Sequence, residues 1–166
     1  MRDALADFLD DFRARGESHP PYDFSEENGF PGVEGYIEFW SLMSVRPPSS
    51  DLVVTDTFVL TVGERAVGEV RIRHHLTPRL VVHGGHIGYG VPPSDRNRGY
   101  GTLLLGLGLD RAREIGLANA LLTIDVTNAP SLAVAAKYGA VPSDEVRIET
   151  GALHRRFWLP TAPSPR

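Results

Sequence analysis

Between Val91 and Leu104 the chain reads Val-Pro-Pro-Ser-Asp-Arg-Asn-Arg-Gly-Tyr-Gly-Thr-Leu-Leu, a strand end followed by a glycine turn and the opening of a helix. Gly99 and Gly101 let backbone N–H groups crowd together with no side chain in the way, and a helix start adds the positive end of its dipole. That arrangement binds phosphate, and Arg96 and Arg98 would add charge-assisted hydrogen bonds. The plainer alternative is an ordinary strand-to-helix turn carrying two solvated arginines. A dinucleotide fingerprint needs a third glycine near Leu104, where a leucine stands, and this counts against a Rossmann site.

The spacing Arg96-x-x-Gly99-x-Gly101, set between an apolar strand and an apolar helix, resembles the pyrophosphate-binding motif of the GNAT superfamily of N-acetyltransferases. From Ala66 to Leu159 the chain follows that family's order: a strand hairpin, the motif strand, the glycine turn, a helix, a strand ending in Asp125, an Asn128-Ala129-Pro130-Ser131 turn, a helix and closing strands. Gly85-His86-Ile87-Gly88-Tyr89 and Arg71-Ile72-Arg73-His74 are similar to a bacterial branch of acetyltransferases. The resemblance implies acetyl-CoA (acetyl-coenzyme A) as co-substrate. Its pyrophosphate would meet the backbone of Arg96, Asn97, Arg98, Gly99, Tyr100, Gly101 and Thr102, and its arm would add to the exposed backbone of Tyr89, Gly90 and Val91. An N–H near Val91 would polarise the thioester carbonyl. Asn128 matches the family asparagine that bonds the coenzyme; the alternative is a helix cap ahead of Pro130.

Proton transfer is where the chain departs from the family. Many relatives place a tyrosine seven residues after that asparagine to protonate the departing thiolate, and here the position is Ala135. Tyr138, one turn further along the same helical face, is the candidate substitute, with a core or surface role as its alternative. A thiolate with a pKa near about 8.5 leaves readily without a dedicated acid. An acceptor amine with a pKa near about 10 must lose a proton before it attacks. His86 on the motif strand and Glu69 on the neighbouring strand are the candidate bases, each with a structural role as the alternative. The implied reaction is direct acetyl transfer to an amine of a small molecule or peptide; a hydroxyl or a protein N-terminus is a weaker acceptor class. Ala135 also favours a different class, a non-catalytic acyl-coenzyme A sensor of the same fold. A homodimer is a mild expectation from the family.

Composition narrows the field. The chain has 166 residues, 42% hydrophobic and 23% charged, enough for one domain, expected to span residues 1–160 with 161–166 as a disordered tail. It has no cysteine, so disulfides, thiolate metal sites and a cysteinyl acyl-enzyme are excluded, and an acyl group would pass directly to its acceptor. A net charge of −4 argues against a nucleic-acid surface, and no apolar run approaches the roughly 20 residues of a membrane span. The acidic amphipathic start is not a secretory signal, and a cytoplasmic location is expected. His74, His75, His83 and His86 raise a metal reading, but they lie on or beside strands with no helical His-x-x-x-His pair, and no metal is expected.

The elements that must position these residues are legible as patterns. Ala4-Leu5, Phe8-Leu9 and Phe12 recur at helical spacing, with Gly16 ending the helix. Family members start with a strand before it, and no strand candidate precedes Ala4. Glu17 to Gly32 is rich in Pro, Gly, aromatics and acids; it would border the acceptor site or patch the core, and Glu17, Asp23, Glu26 and Glu27 would steer a cationic acceptor. A second helix spans Val33 to Val45. Thr57–Val62 and Ala66–Arg73 form a hairpin whose second strand puts Val67, Glu69, Arg71 and Arg73 on one face. The motif strand His86–Val91, a helix Gly99–Ile115, a strand Leu121–Val126 and a helix Pro130–Tyr138 follow. Val146–Thr150 and His154–Leu159 close the chain as an antiparallel pair. Gly106 and Gly108 each weaken their helix by about 1 kcal/mol, which close packing on the sheet would explain. The fold class is α/β (α+β): one domain with a mixed, mostly antiparallel central sheet flanked by helices.

Overall fold

In the computed structural model, which describes residues 1–17 and 30–162, the apolar residues of the amino end line one face of α1 (Arg2–Ala14). Ala4, Leu5, Phe8, Leu9 and Phe12 are buried there against Tyr36, Phe39, Trp40 and Met43 of α2 (Gly32–Val45), with Ala66 beneath them. Most of the expected loop from Glu17 to Gly32 falls in 18–29, outside the described residues.

β1 (Thr55–Val62) and β2 (Arg65–Arg73) form the expected antiparallel hairpin, and β3 (Ile87–Gly90) pairs antiparallel with β2, with Glu69 opposite Gly90 and Arg71 opposite Gly88. β2 is buried along nearly its whole length because helices cover both faces. Val70 and Ile72 pack on α4 (Tyr100–Glu114), while Ala66 packs on the α1–α2 layer. A second antiparallel sheet has the order β4 (Asn119–Asp125), β6 (Leu153–Pro160), β5 (Val141–Arg147). α5 (Ala129–Lys137) follows β4. Leu104, Leu105 and Leu109 of α4 join Ile87, Leu122, Ile124, Phe157 and Leu159 in one core that spans both sheets. The result is a single mixed α/β domain of two antiparallel sheets flanked by helices.

The two sheets meet at one point. His86 N–H donates to the Leu121 carbonyl at 2.7 Å, and the Leu121 N–H donates back to His86 Nδ1 at 2.9 Å. Gly84 N–H adds a bond to Thr123 Oγ1 at 2.7 Å. Beyond this knot no ladder joins β3 to β4 among the described residues, and a cleft opens between them. Gly85 makes the approach possible: its φ is +60°, and a Cβ there would stand 2.3 Å from the Leu121 carbonyl oxygen.

Several details differ from the sequence pattern. β5 starts at Val141 and not near Val146; it is an exposed edge strand, so it lacks the apolar alternation that would announce it, and its register shifts between Pro142 and Glu145. A short helix, α3 (Pro78–Val82), is capped by Thr77, whose hydroxyl accepts from Leu80 N–H. Gly108 does pack on the sheet, against Val70 and Ile87, but Gly106 faces the Tyr138 hydroxyl. Thr161 is not a free tail residue: it is buried, its N–H donates to the Ala118 carbonyl at 3.1 Å, and its hydroxyl donates to the Leu117 carbonyl. No described helix is long and apolar enough to cross a membrane.

Gly85→Ala should cost about 3 kcal/mol of folding stability, since it combines left-handed strain with a backbone clash. Gly116→Ala, at φ +88° in open space, should cost only the strain, about 1 kcal/mol. Urea denaturation of the two variants checks the difference.

Candidate active site

The glycine turn is built to present N–H groups. After a 3₁₀ turn at Pro93–Asp95, Asn97 takes φ +62° and Gly99 φ +86°. Gly99 is the N-cap of α4 and has no side chain with which to cap it, so the N–H groups of Tyr100, Gly101 and Thr102 lack intrahelical acceptors. Leu103 N–H is the first to bond back, to the Gly99 carbonyl at 3.1 Å. The turn is fastened through Asp95, a buried carboxylate paired with Arg65 at 2.8 Å and Arg98 at 3.2 Å.

A cavity of 700 Å³ lies in front of this turn, lined by Tyr89, Gly90, Val91, Arg96, Asn97, Gly99, Tyr100, Gly101, Thr102 and Asn128. Of the residues that the motif singles out for the donor, only Arg98 is missing from it, because its guanidinium turns to Asp95. Arg96 Nε donates to the Val91 carbonyl at 3.2 Å, and both of its terminal nitrogens bond the Glu17 carboxylate. That guanidinium holds the Glu17 carboxyl below its usual range. Glu17 is thus tied to the turn, while Asp23, Glu26 and Glu27 lie outside the described residues. Lys137, in the last turn of α5, lines the same cavity and adds a cation that the motif alone does not indicate.

On the other side of the strands is a second cavity, of 440 Å³. Ile87, Gly88 and Tyr89 of β3 and Leu122 to Asp125 of β4 form its floor, and Arg71, Arg73, Arg79, His83 and His154 stand around it. Tyr89, Asn128 and Ser131 line both cavities, so the cleft runs through the sheet. Asn128 caps α5, its Oδ1 accepting from Ser131 N–H at 3.1 Å. The Tyr89 hydroxyl is buried without a hydrogen-bonded partner. Burial pushes its phenol up, against a smaller pull from the Ser131 side chain, which stands close without reaching hydrogen-bond geometry.

The three residues singled out for proton transfer line neither cavity. His86 is the strand connector: its Nδ1 lone pair is used by Leu121 N–H, which leaves the proton of the neutral ring on Nε2. Burial, and then Arg73, lowers its pKa. Glu69 is fully buried, accepting from the Tyr36 hydroxyl and pairing with Arg71 Nε at 2.8 Å, while the Arg71 guanidinium lies 5.2 Å over the Trp40 ring. Burial and then the Glu69 charge push the Tyr36 phenol up, so it remains a donor. Tyr138 donates its hydroxyl to the Thr102 carbonyl at 2.8 Å and clamps α5 to α4. Ala135, at the family tyrosine's position, is buried. His74 Nε2 pairs with Asp56 at 2.9 Å, His83 lies against His154, and no group of three or more metal-binding side chains occurs among the described residues.

The sequence motif did not reveal His154 as a cavity residue. It lies on β6 opposite Asp125, and only the strand register brings the two together.

A splayed sheet pierced by a cleft, with a helix start whose N–H groups lack acceptors on one side, has the architecture of an acyltransferase. The sequence profile of the acetyltransferase (GNAT) family matches residues 6–140, and the chain belongs to that family. Solved structures share the fold at low identity. The ribosomal-protein-S5-alanine acetyltransferase of Vibrio fischeri is 16% identical with a TM-score of 0.71, over 99% of this chain and 90% of that one. An N-acetyltransferase from Staphylococcus aureus Mu50 is 14% identical with a TM-score of 0.66, over 96% and 92%. YncA, a putative acetyltransferase from Salmonella typhimurium solved with acetyl-CoA, is 13% identical with a TM-score of 0.63, over 100% and 93%. Comparison with curated proteins finds no match.

The pinned state of His86 has a consequence for stability. Its folded pKa is depressed, so the unfolded chain binds more protons once the pH falls past the ordinary histidine value of about 6.5. Stability is therefore fully present above that value and declines below it. Denaturation midpoints measured from about pH 7.5 down to about 5.5 should fall, and His86→Gln, which has no titrating ring, should show a shallower decline.

Proposed function

We propose that the chain transfers an acetyl group from acetyl-CoA directly to an amine of a small molecule or peptide. The observation that carries this reading is the wall of Tyr89, Asn128 and Ser131 common to both cavities. It gives a coenzyme arm entering from the glycine turn a path to the opposite face of the sheet. The turn fits a pyrophosphate: N–H groups without acceptors converge there, and Gly101 lines the cavity with no side chain, while a Cβ there would meet Tyr89 at 3.5 Å and Val134 at 3.7 Å, contacts that the fold tolerates but that take space from a ligand. Backbone N–H groups and the helix dipole supply most of the attraction, with Lys137 and, after parting from Glu17, Arg96 adding charge. The bare backbone of Tyr89 to Val91 takes the arm, and an N–H near Val91 polarises the thioester carbonyl. The protonated Tyr89 hydroxyl faces the junction, where the departing thiolate needs a proton. With no cysteine in the chain, direct transfer by two pre-positioned substrates is the simplest chemistry.

Two neighbours support an amine as the acceptor class: one acts on a protein alanine, and SpeG of Vibrio cholerae, 15% identical with a TM-score of 0.61, is a spermidine acetyltransferase. A second reading, a non-catalytic acyl-coenzyme A sensor, is favoured by Ala135 together with the engagement of the Tyr138 hydroxyl by Thr102.

Calorimetry with acetyl-CoA should show micromolar binding that a Gly99→Glu, Gly101→Glu double variant abolishes. Gly101→Ala should leave stability unchanged or raise it by up to about 1 kcal/mol, since alanine suits a helix better than glycine, yet weaken binding more than about tenfold by filling the cradle. Release of coenzyme thiol in the presence of an amine separates the enzyme from the sensor. Absence of binding by the intact protein overturns both readings.

A further inference from the structure

The geometry points to His154 as the group that takes the proton from the attacking amine, with Asp125 holding its ring; the assignment rests on the transfer reading above. His154 is 8% exposed, and its Nδ1 is buried without a hydrogen-bond partner in the protein. The residue lines a cavity while this nitrogen, just beneath the wall, goes unpaired, which is unusual because buried polar atoms are otherwise almost always satisfied. The cavity it lines is the one on the acceptor side of the cleft, reached from the donor side past Tyr89.

Asp125 supplies the second half of the arrangement. Its Oδ1 accepts from the Thr127 hydroxyl at 2.6 Å and the Thr127 N–H at 2.7 Å, bonds that hold its carboxyl below the usual range and fix its orientation. Oδ2 is left facing His154 Nε2 at 3.8 Å, an ion-pair distance. A carboxylate on that side favours the tautomer with the proton on Nε2, which leaves the lone pair on Nδ1. Other charged or titratable groups face the ring as well: His83 stacks edge-on at 4.9 Å, and Arg73 of β2 and Arg79 of α3 lie around the pair. His83 is the more exposed of the two imidazoles and sits after α3 at the cavity mouth. The two candidate bases from the sequence line neither cavity and are already engaged, His86 by Leu121 and Glu69 by Tyr36 and Arg71.

The step balances without further reagents. The ring turns its covered Nδ1 toward an acceptor arriving as an ammonium and takes one proton from it. The acceptor's nitrogen lone pair then forms the C–N bond to the acetyl carbon as the C–S bond breaks. The second N–H proton ends on the departing sulfur, and the imidazolium, stabilised by Asp125, returns its proton to solvent.

Two measurements test this. Long-range ¹H–¹⁵N correlation on ¹⁵N-labelled wild-type protein should show the neutral His154 ring protonated on Nε2 and bare on Nδ1; protonation on Nδ1 overturns the assignment regardless of turnover. Thiol release is then followed with spermidine, an alanine-ended peptide and a primary alkylamine as acceptors. His154→Gln should keep acetyl-CoA affinity within twofold while kcat falls about 10²–10³-fold at neutral pH, recovering as the pH rises and the amine deprotonates unaided. Added imidazole should restore part of the rate in His154→Ala. A His154→Gln rate within threefold of wild type, with transfer intact, overturns the role of His154 alone. Wild-type protein that releases thiol with none of the three amines overturns the transfer reading and this assignment with it.

Discussion

The reciprocal bonds between His86 and Leu121 decide where the two sheets touch and therefore where they part. A ring nitrogen stands in for the backbone carbonyl that a continuing ladder would have offered to Leu121 N–H, while the His86 carbonyl is already committed to Arg73 N–H at 2.8 Å. β3 thus stays bonded to β2 on one side and is pinned to β4 at a single point on the other. Beyond that point the edge of β3 is bare, and both cavities are consequences of the gap. An imidazole that must remain neutral to accept a backbone N–H is a structural part, and its burial reinforces that state.

The face of the gap that carries the second cavity is shaped by what β2 places beside it. Because Arg71 pairs across the ladder with Gly88, its guanidinium can lie over a residue without a side chain; an added Cβ on Gly88 would find Arg71 and Arg73 nitrogens each 3.8 Å away. The Glu69–Arg71 pair with Tyr36 and Trp40 places a charged layer under α2, and of these four residues only Arg71 reaches the second cavity. Such a buried pair adds little net stability, and removing either partner strands the other in a dry environment. Its contribution is positional: it fixes the height and orientation of Arg71 while α1 and α2 cover the sheet.

The glycine turn was legible because its chemistry is local: backbone freedom at Gly99, a helix start and flanking apolar runs all sit within fourteen residues. The hairpin, α1, α2, α4, β4 and α5 were legible for the same reason, since their periodicities report directly on burial. The surroundings of the residues considered for proton transfer were not. His86 and Glu69 were picked out by position on a strand, but what each does depends on partners far along the chain, Leu121 in one case and Tyr36 in the other. Tyr138 lies on the expected helical face, yet it meets the Thr102 carbonyl, a group no side-chain pattern encodes. His154 became visible only when the register set it opposite Asp125. β5 escaped because a strand solvated on one face needs no apolar code; its ladder to β6 and the pairs Asp144–Arg156 and Glu145–Arg155 hold it.

That same strand bears on how copies of the molecule behave when crowded together. The chain's last strand, β6, is enclosed between β4 and β5, so the exposed margin of the second sheet is β5. There Pro142 withholds an N–H, the register slips before Glu145, and acidic side chains stud the solvent side. A neighbouring copy offering its own strand meets an interrupted row of donors, one means by which natural sheets discourage edge-to-edge growth. The break in the row limits how far this margin can serve as a template for a second strand.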